Sequence, residues 1–321
     1  MKSQKYFIGM DGGGTKTHAI IADGNGKILA EHVGGPSNFQ IIGVEKAAET
    51  IYSLIQSCCE SVPCTIKEIA AVVCGLTGAG RAGDQERMAK GLKQYAAKKK
   101  SKLQNVIIES DARIALEGAF KGEEGIILIA GTGSIAFGKD AKGKIHRVGG
   151  WGRILGDEGS GFYIGRLGLT AVTHHLDGRG EKTKLTSMIA KKFGLNDQTA
   201  IINAVYKNGF DVASVAPLVL EAASKKDRVC LLIVEQAAVM LAEHVKVAAK
   251  KILASSKAKV RSKVKLAFIG GLIANDTLLS QLLRRYISST IPLAEIIQPM
   301  TSPAYGAVVI GMRTKHNRIP A

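Results

Sequence analysis

The stretch "MDGGGTKTHAIIAD" (Met10–Asp23) breaks an apolar run on one aspartate and three successive glycines, then resumes at once as an alternating strand. Upstream, "YFIGM" (Tyr6–Met10) reads as a strand. Downstream, "DGNG" marks a hairpin turn before a third strand, "ILAEHVGG" (Ile28–Gly35). Glycines in succession weaken a strand, because each loses the most backbone freedom on folding. What they offer is bare backbone: without Cβ atoms, N–H groups can turn toward a ligand and form an anion-binding concavity.

The same grammar recurs in "GIILIAGTGSIAFGKDAKGKIHRVGG" (Gly125–Gly150): strand, glycine-polar loop, strand, a "KGK" turn, and a third strand ending in "VGG". The spacing matches, since Gly26 follows Gly13 by 13 residues and Gly143 follows Gly131 by 12. We read a duplicated unit, one copy per domain. Between the copies the pattern predicts a helix over Val44–Glu60, a strand over Ile69–Gly75, a helix over Asp84–Lys98 and a strand over Val106–Ser110. After the second copy come a helix from near Gly161, helical segments to about Ala223, and a long helical pattern over Leu231–Leu253. A strand at Lys265–Gly271 follows, then a helix capped by Asn275 or Asp276 and a last helix opened by Pro303. A three-stranded meander followed by alternating helix and strand, twice, predicts two similar α/β domains with a cleft between them. Glycine loops facing one another across such a cleft suit a nucleoside triphosphate.

Composition sets broad limits. A chain of 321 residues can bury two cores, and 46% hydrophobic residues with 37 scattered glycines fit a globular α/β protein. The net charge of +17 favours anionic ligands without choosing among them. Its densest runs, Lys98–Lys102, Lys257–Lys265 and Arg313–Arg318, are poor in aromatics and lack a nucleic-acid-binding signature, so nucleic acid is not the expected partner. The five cysteines form no CxxC pair, which predicts reduced, mostly buried thiols in a cytoplasmic protein. Neither a signal-peptide core nor an apolar run of membrane-spanning length is visible.

Two familiar glycine motifs are excluded by spelling. Thr15 follows Gly14 where a phosphate-loop lysine would be needed, and Ala136 occupies the final glycine position of GxGxxG. Instead, "GMDGGGTKT" (Gly9–Thr17), "ESDARIALEGA" (Glu109–Ala119), "IAGTGSIAFG" (Ile129–Gly138), "GGWGRILGDEGSGFYIGR" (Gly149–Arg166), "FIGGL" (Phe268–Leu272) and "SPAYGA" (Ser302–Ala307) resemble, in order and over nearly the whole chain, the N-acetylglucosamine kinase branch of the BadF/BadG/BcrA/BcrD ATPase family.

That resemblance implies two similar ribonuclease H-like (actin-like ATPase) domains with a central cleft. They would span 1–115, completed by the C-terminal helix 303–321, and 116–302. It implies ATP and Mg²⁺ as cofactors and an amino sugar as acceptor, and it is compatible with a homodimer. Asp11 would hold the metal through water, with Gly13, Gly14, Thr15, Thr132, Gly133 and Ser134 on the phosphates and Gly270 and Gly271 against the adenosine. Asp111 is placed as general base, although an aspartate opening a helix can equally be a plain cap. Asn38, Thr77, Gly150, Trp151 and Asp157 are placed around the sugar. Trp151, the sole tryptophan, has a core role as its competing reading. Glu158 and Arg81 stay unassigned, and His174 and His175 form no metal set. Gln40 departs from the tryptophan of the animal enzymes, which leaves N-acetylglucosamine, glucosamine and N-acetylmuramic acid open as acceptors. The competing functions are an ATPase that activates a radical dehydratase and a basic ATP-binding protein without kinase activity.

Overall fold

The computed structural model describes residues 5–255 and 263–316. Most of the basic run Lys257–Lys265 and the last five residues of the expected terminal helix lie outside the described residues. The chain divides into two compact units, residues 1–123 with 299–321, and residues 124–298.

The first unit opens with a meander of β1 (Tyr6–Gly12), β2 (Thr17–Ala22) and β3 (Ile28–Gly34). It continues through α1 (Phe39–Ile42), α2 (Val44–Glu60), β4 (Ile69–Leu76), α3 (Ala82–Lys98), β5 (Val106–Ser110) and α4 (Asp111–Ala119). The second unit repeats the meander as β6 (Gly125–Ala130), β7 (Ser134–Lys139) and β8 (Ile145–Gly149). There follow α5 (Gly161–Leu176), α6 (Leu185–Phe193), α7 (Gln198–Tyr206), α8 (Ala216–Ser224), α9 (Arg228–Ser255), β9 (Val264–Ile269), α10 (Leu278–Thr290) and β10 (Ala294–Ile297). Helix α11 (Pro303–His316) returns the chain to the first unit. The middle of α4, where sequence placed the division at 115/116, does not split, because α4 packs on α11 with Gly118 and Gly306 in backbone contact.

The sheets run β3-β2-β1-β4-β5 and β8-β7-β6-β9-β10, one order repeated. In each, two antiparallel pairings build the meander and the later strands join in parallel. Duplication extends to the hairpin turns. Asp23 Oδ1 accepts the N–H groups of Asn25 and Lys27, and Asp140 Oδ1 those of Lys142 and Lys144, each beside a positive-φ glycine, Gly26 and Gly143. A carboxylate that satisfies two turn amides explains why both copies place Asp at this point.

Helix burial follows the apolar stripe of each sequence. In α2 the buried set Ala47, Ala48, Ile51, Tyr52, Leu54, Ile55 and Cys58 repeats at three and four residues, covering one face of the first sheet. In α9 the buried residues Val234, Ala237, Ala238, Leu241 and Val245 do the same for the second. Two sequence expectations are corrected. Thr277 rather than Asn275 or Asp276 caps α10, because its hydroxyl and that of Ser280 close a reciprocal pair of bonds with the backbone. The strand β10 was not expected at all. Among the described residues, no helix is long and apolar enough to cross a membrane.

Candidate active site

The parallel strands of the first unit end abreast, with Gly12 opposite Leu76 and Leu76 opposite Ser110. Asp11 is the penultimate residue of β1, Thr77 follows β4 and Asp111 follows β5, so sheet register alone gathers them. Ligands of open α/β sheets bind outside these carboxyl ends. Thr77 donates its N–H to Gly12 O at 2.9 Å and its hydroxyl to Asp111 Oδ2 at 2.9 Å. Asp111 Oδ1 accepts the Ala112 N–H at 2.7 Å. The cap of α4 is Ser110, whose Oγ accepts the Arg113 N–H, so capping does not explain Asp111. Its carboxylate sits in the first turn, at the positive end of the helix dipole.

Burial, and then the neighbouring Asp111 carboxylate, push the Asp11 carboxyl above its usual range, partly offset by His18 and Lys16. Two acids held so near one another favour a positive partner, and hard oxygen donors of this kind fit a magnesium ion carried on phosphate oxygens. The glycine loop itself is strapped down: Gly13 O accepts the N–H groups of Ser37 and Asn38 at 3.0 and 3.1 Å. Beneath it Thr17 Oγ1 lies 2.7 Å from both Gly35 O and Ser37 Oγ. Gly14 and Thr15 are exposed at the tip. Asn38 is buried and caps α1 through its side-chain oxygen, accepting from Gln40 N, which orients its carboxamide. Gln40 in turn donates to Gly78 O at 3.3 Å. Arg81 is exposed at the start of α3.

In the second unit the corresponding edge carries the loop Gly131–Ser134, the segment Gly149–Ser160 and the turn at Gly270. The first is bonded to the second and to the start of α5. Gly131 O accepts Gly161 N–H at 2.7 Å, Thr132 O accepts Phe162 N–H at 3.1 Å, and Ser134 Oγ donates to Glu158 O at 2.7 Å. A Cβ on Gly133 would lie 2.9 Å from Asp157 Oδ2, so that glycine is needed to let the carboxylate approach the loop backbone. Asp157 holds φ at +58°, a conformation that aspartate tolerates better than most residues. Gly270, at positive φ, sits against the Ala130 carbonyl, and Gly271 is exposed beside it.

Some roles change on this geometry. The Ser134 hydroxyl, expected to face a phosphate, is buried and bonded to Glu158, while Thr132 is exposed. Trp151 is 72% exposed with the Arg147 guanidinium 5.7 Å over its ring, so it is not a core residue. Cys58, Cys74 and Cys230 are buried, and burial pushes each thiol up to about 12. Such thiols behave as small apolar side chains rather than as thiolate ligands. Sequence reasoning missed Thr17 and Arg147, which quoted stretches contained without singling them out, and Ser37 and His244, which lay outside them.

One α/β unit occurring twice, each copy carrying a glycine loop at the carboxyl edge of its sheet, defines an actin-like ATPase fold. The chain belongs to the BadF/BadG/BcrA/BcrD ATPase family, whose sequence profile matches residues 8–311. It is 36% identical to an N-acetylmuramic acid/N-acetylglucosamine kinase of Clostridium acetobutylicum over 312 residues, covering 95% of this chain and 98% of that one. An N-acetyl-D-glucosamine kinase of Dictyostelium discoideum is 31% identical over 325 residues, covering 98% and 99%. The crystal structure of a candidate N-acetylglucosamine kinase from Chromobacterium violaceum superposes with a TM-score of 0.70 at 27% identity, covering 97% of this chain and 99% of that one.

Proposed function

We propose that the chain is an ATP-dependent amino-sugar kinase that passes the γ-phosphate to a sugar hydroxyl, the 6-hydroxyl of N-acetylglucosamine or of a close relative. The observation that carries this reading is Asp111 at the head of α4, oriented by Thr77 and set beside Asp11 at the glycine loop. Its relatives support the same chemistry: two that match over nearly their full lengths are sugar kinases.

In this reading Asp111 accepts the proton of the attacking hydroxyl. Thr77 and the Ala112 amide each hold one of its oxygens, so the carboxylate meets the acceptor in a fixed orientation. Gly13, Gly14, Thr15 and the exposed Thr132 present amides and hydroxyls to the phosphates. Asp11 is the residue that would hold Mg²⁺, which when bound neutralises charge on the triphosphate. Asp157, Asn38 and Thr77 bind sugar hydroxyls, and carboxylate acceptors are strong partners for such donors. Gly270 and Gly271 leave backbone open to the adenosine. The acceptor is found by measuring ADP release with N-acetylglucosamine, N-acetylmuramic acid, glucosamine, N-acetylmannosamine and glucose against a water-only control. The reading expects release that depends on one of the first three sugars; equal release with every sugar and with water would leave an ATPase and no kinase.

A further inference from the structure

The segment Gly149–Ser160 bends on four positive-φ glycines, Gly149, Gly150, Gly152 and Gly159, and on Asp157. A loop of that composition has many conformations, so something must select one. Its backbone bonds supply part of the answer: Gly156 N–H to Gly152 O, Ser160 N–H to Asp157 O, and Ser134 Oγ to Glu158 O. The rest comes from one face of α9, where Ala237, Leu241 and His244 lie at helical spacing. A Cβ at Gly159 would strike Leu241 and the Ala237 carbonyl, and a Cβ at Gly149 would strike the His244 ring. Both ends of the loop therefore rest on this helix.

His244 is buried, at 8% exposure, with Nε2 3.6 Å from Glu158 Oε2. Its Nδ1 is buried and, among the described residues, has no hydrogen-bond partner. Leaving a ring nitrogen bare in the interior is unfavourable, and leucine or phenylalanine would fill the same space without that cost. The imidazole is thus explained by its other nitrogen. Nε2 is the ring nitrogen that faces the carboxylate, at ion-pair rather than hydrogen-bond distance. We infer that His244 is a positioning residue for the acceptor loop: it holds Glu158, and through Glu158 the adjacent Asp157, in the arrangement that receives the sugar. This rests on the kinase reading above.

The test is a comparison of His244→Leu, His244→Gln and Glu158→Ala with the parent protein. Leucine roughly keeps the volume and removes the polar edge that faces Glu158; glutamine keeps a polar group near the Nε2 position. Expected for His244→Leu is a rise of about tenfold in the acceptor KM, roughly 1.4 kcal/mol, with the ATP KM within about twofold. His244→Gln should recover most of the loss, and Glu158→Ala, at a half-exposed position, should reproduce the acceptor effect. A general weakening of the fold would move both KM values and would not be rescued by glutamine. An acceptor KM within about twofold of the parent in Glu158→Ala overturns the inference, even if the leucine variant fails to fold. Hydrogen exchange over residues 150–159 gives a readout independent of turnover: it should quicken in His244→Leu and return toward the parent in His244→Gln. If the parent phosphorylates no sugar, the kinase reading fails, and the exchange experiment still decides whether His244 orders the loop; unchanged exchange in the leucine variant sinks that claim.

Discussion

Asp11 shows how a functional residue is held against its own preference. Burial and the Asp111 carboxylate raise its proton affinity in the folded state, so the ionised form opposes folding at neutral pH. That opposition is fully present above the raised value and vanishes as pH falls through it, because the folded chain then binds the proton more readily than the unfolded one. Asp11→Asn should therefore be at least as stable as the parent at pH 7 in urea unfolding, with the difference shrinking toward pH 4. The same variant should lose the stabilisation that magnesium-nucleotide gives the parent, about 2.7 kcal/mol at a hundredfold excess over the dissociation constant. A variant less stable than the parent without ligand would contradict the account of Asp11 as a strained acid. Sequence displayed Asp11 openly, since an aspartate before three glycines has few other uses. It could not display the Ser134 bond to Glu158 or the exposure of Trp151, because both depend on where a second loop lies.

At the scale of elements, the meander repeats and the amphipathic helices were legible because they are local. Period-two strands, paired turn residues and apolar stripes announce themselves within a dozen residues. Helix α2 and strand β5 fall where their sequences place them. The strand β10 was hidden for the opposite reason: four residues, Ala294–Ile297, become a strand only by pairing in parallel with β9 across the intervening α10. The cap of α10 was misplaced because Asn275, Asp276 and Thr277 are all good capping types in succession, and backbone geometry chose the last. Thr277 also donates to the Leu272 carbonyl at 2.6 Å, tying the cap to the glycine turn at 270–271. Thr277→Ala should cost about 1 kcal/mol in urea unfolding, the usual scale of a lost N-cap. Thr277→Ser should restore most of it; no loss on Thr277→Ala would mean that the cap is redundant.

Across the whole molecule, duplication is what made the function readable. Each copy brings its own glycine loop to the carboxyl edge of its sheet, and the two differ in what surrounds it. The first carries the acids Asp11 and Asp111; the second carries the Asp157 loop and its support from α9. His244 escaped sequence reading because a single histidine on a long helix has no pattern, and only the fold brings it to Gly149. The kinase reading stands or falls on Asp111, and its direct test is the Asp111→Asn variant. Sugar-dependent ADP release and nucleotide affinity would be measured side by side with the parent. The account predicts that release falls by about two to four orders of magnitude while nucleotide affinity stays within a few-fold. Release near the parent's rate would contradict it.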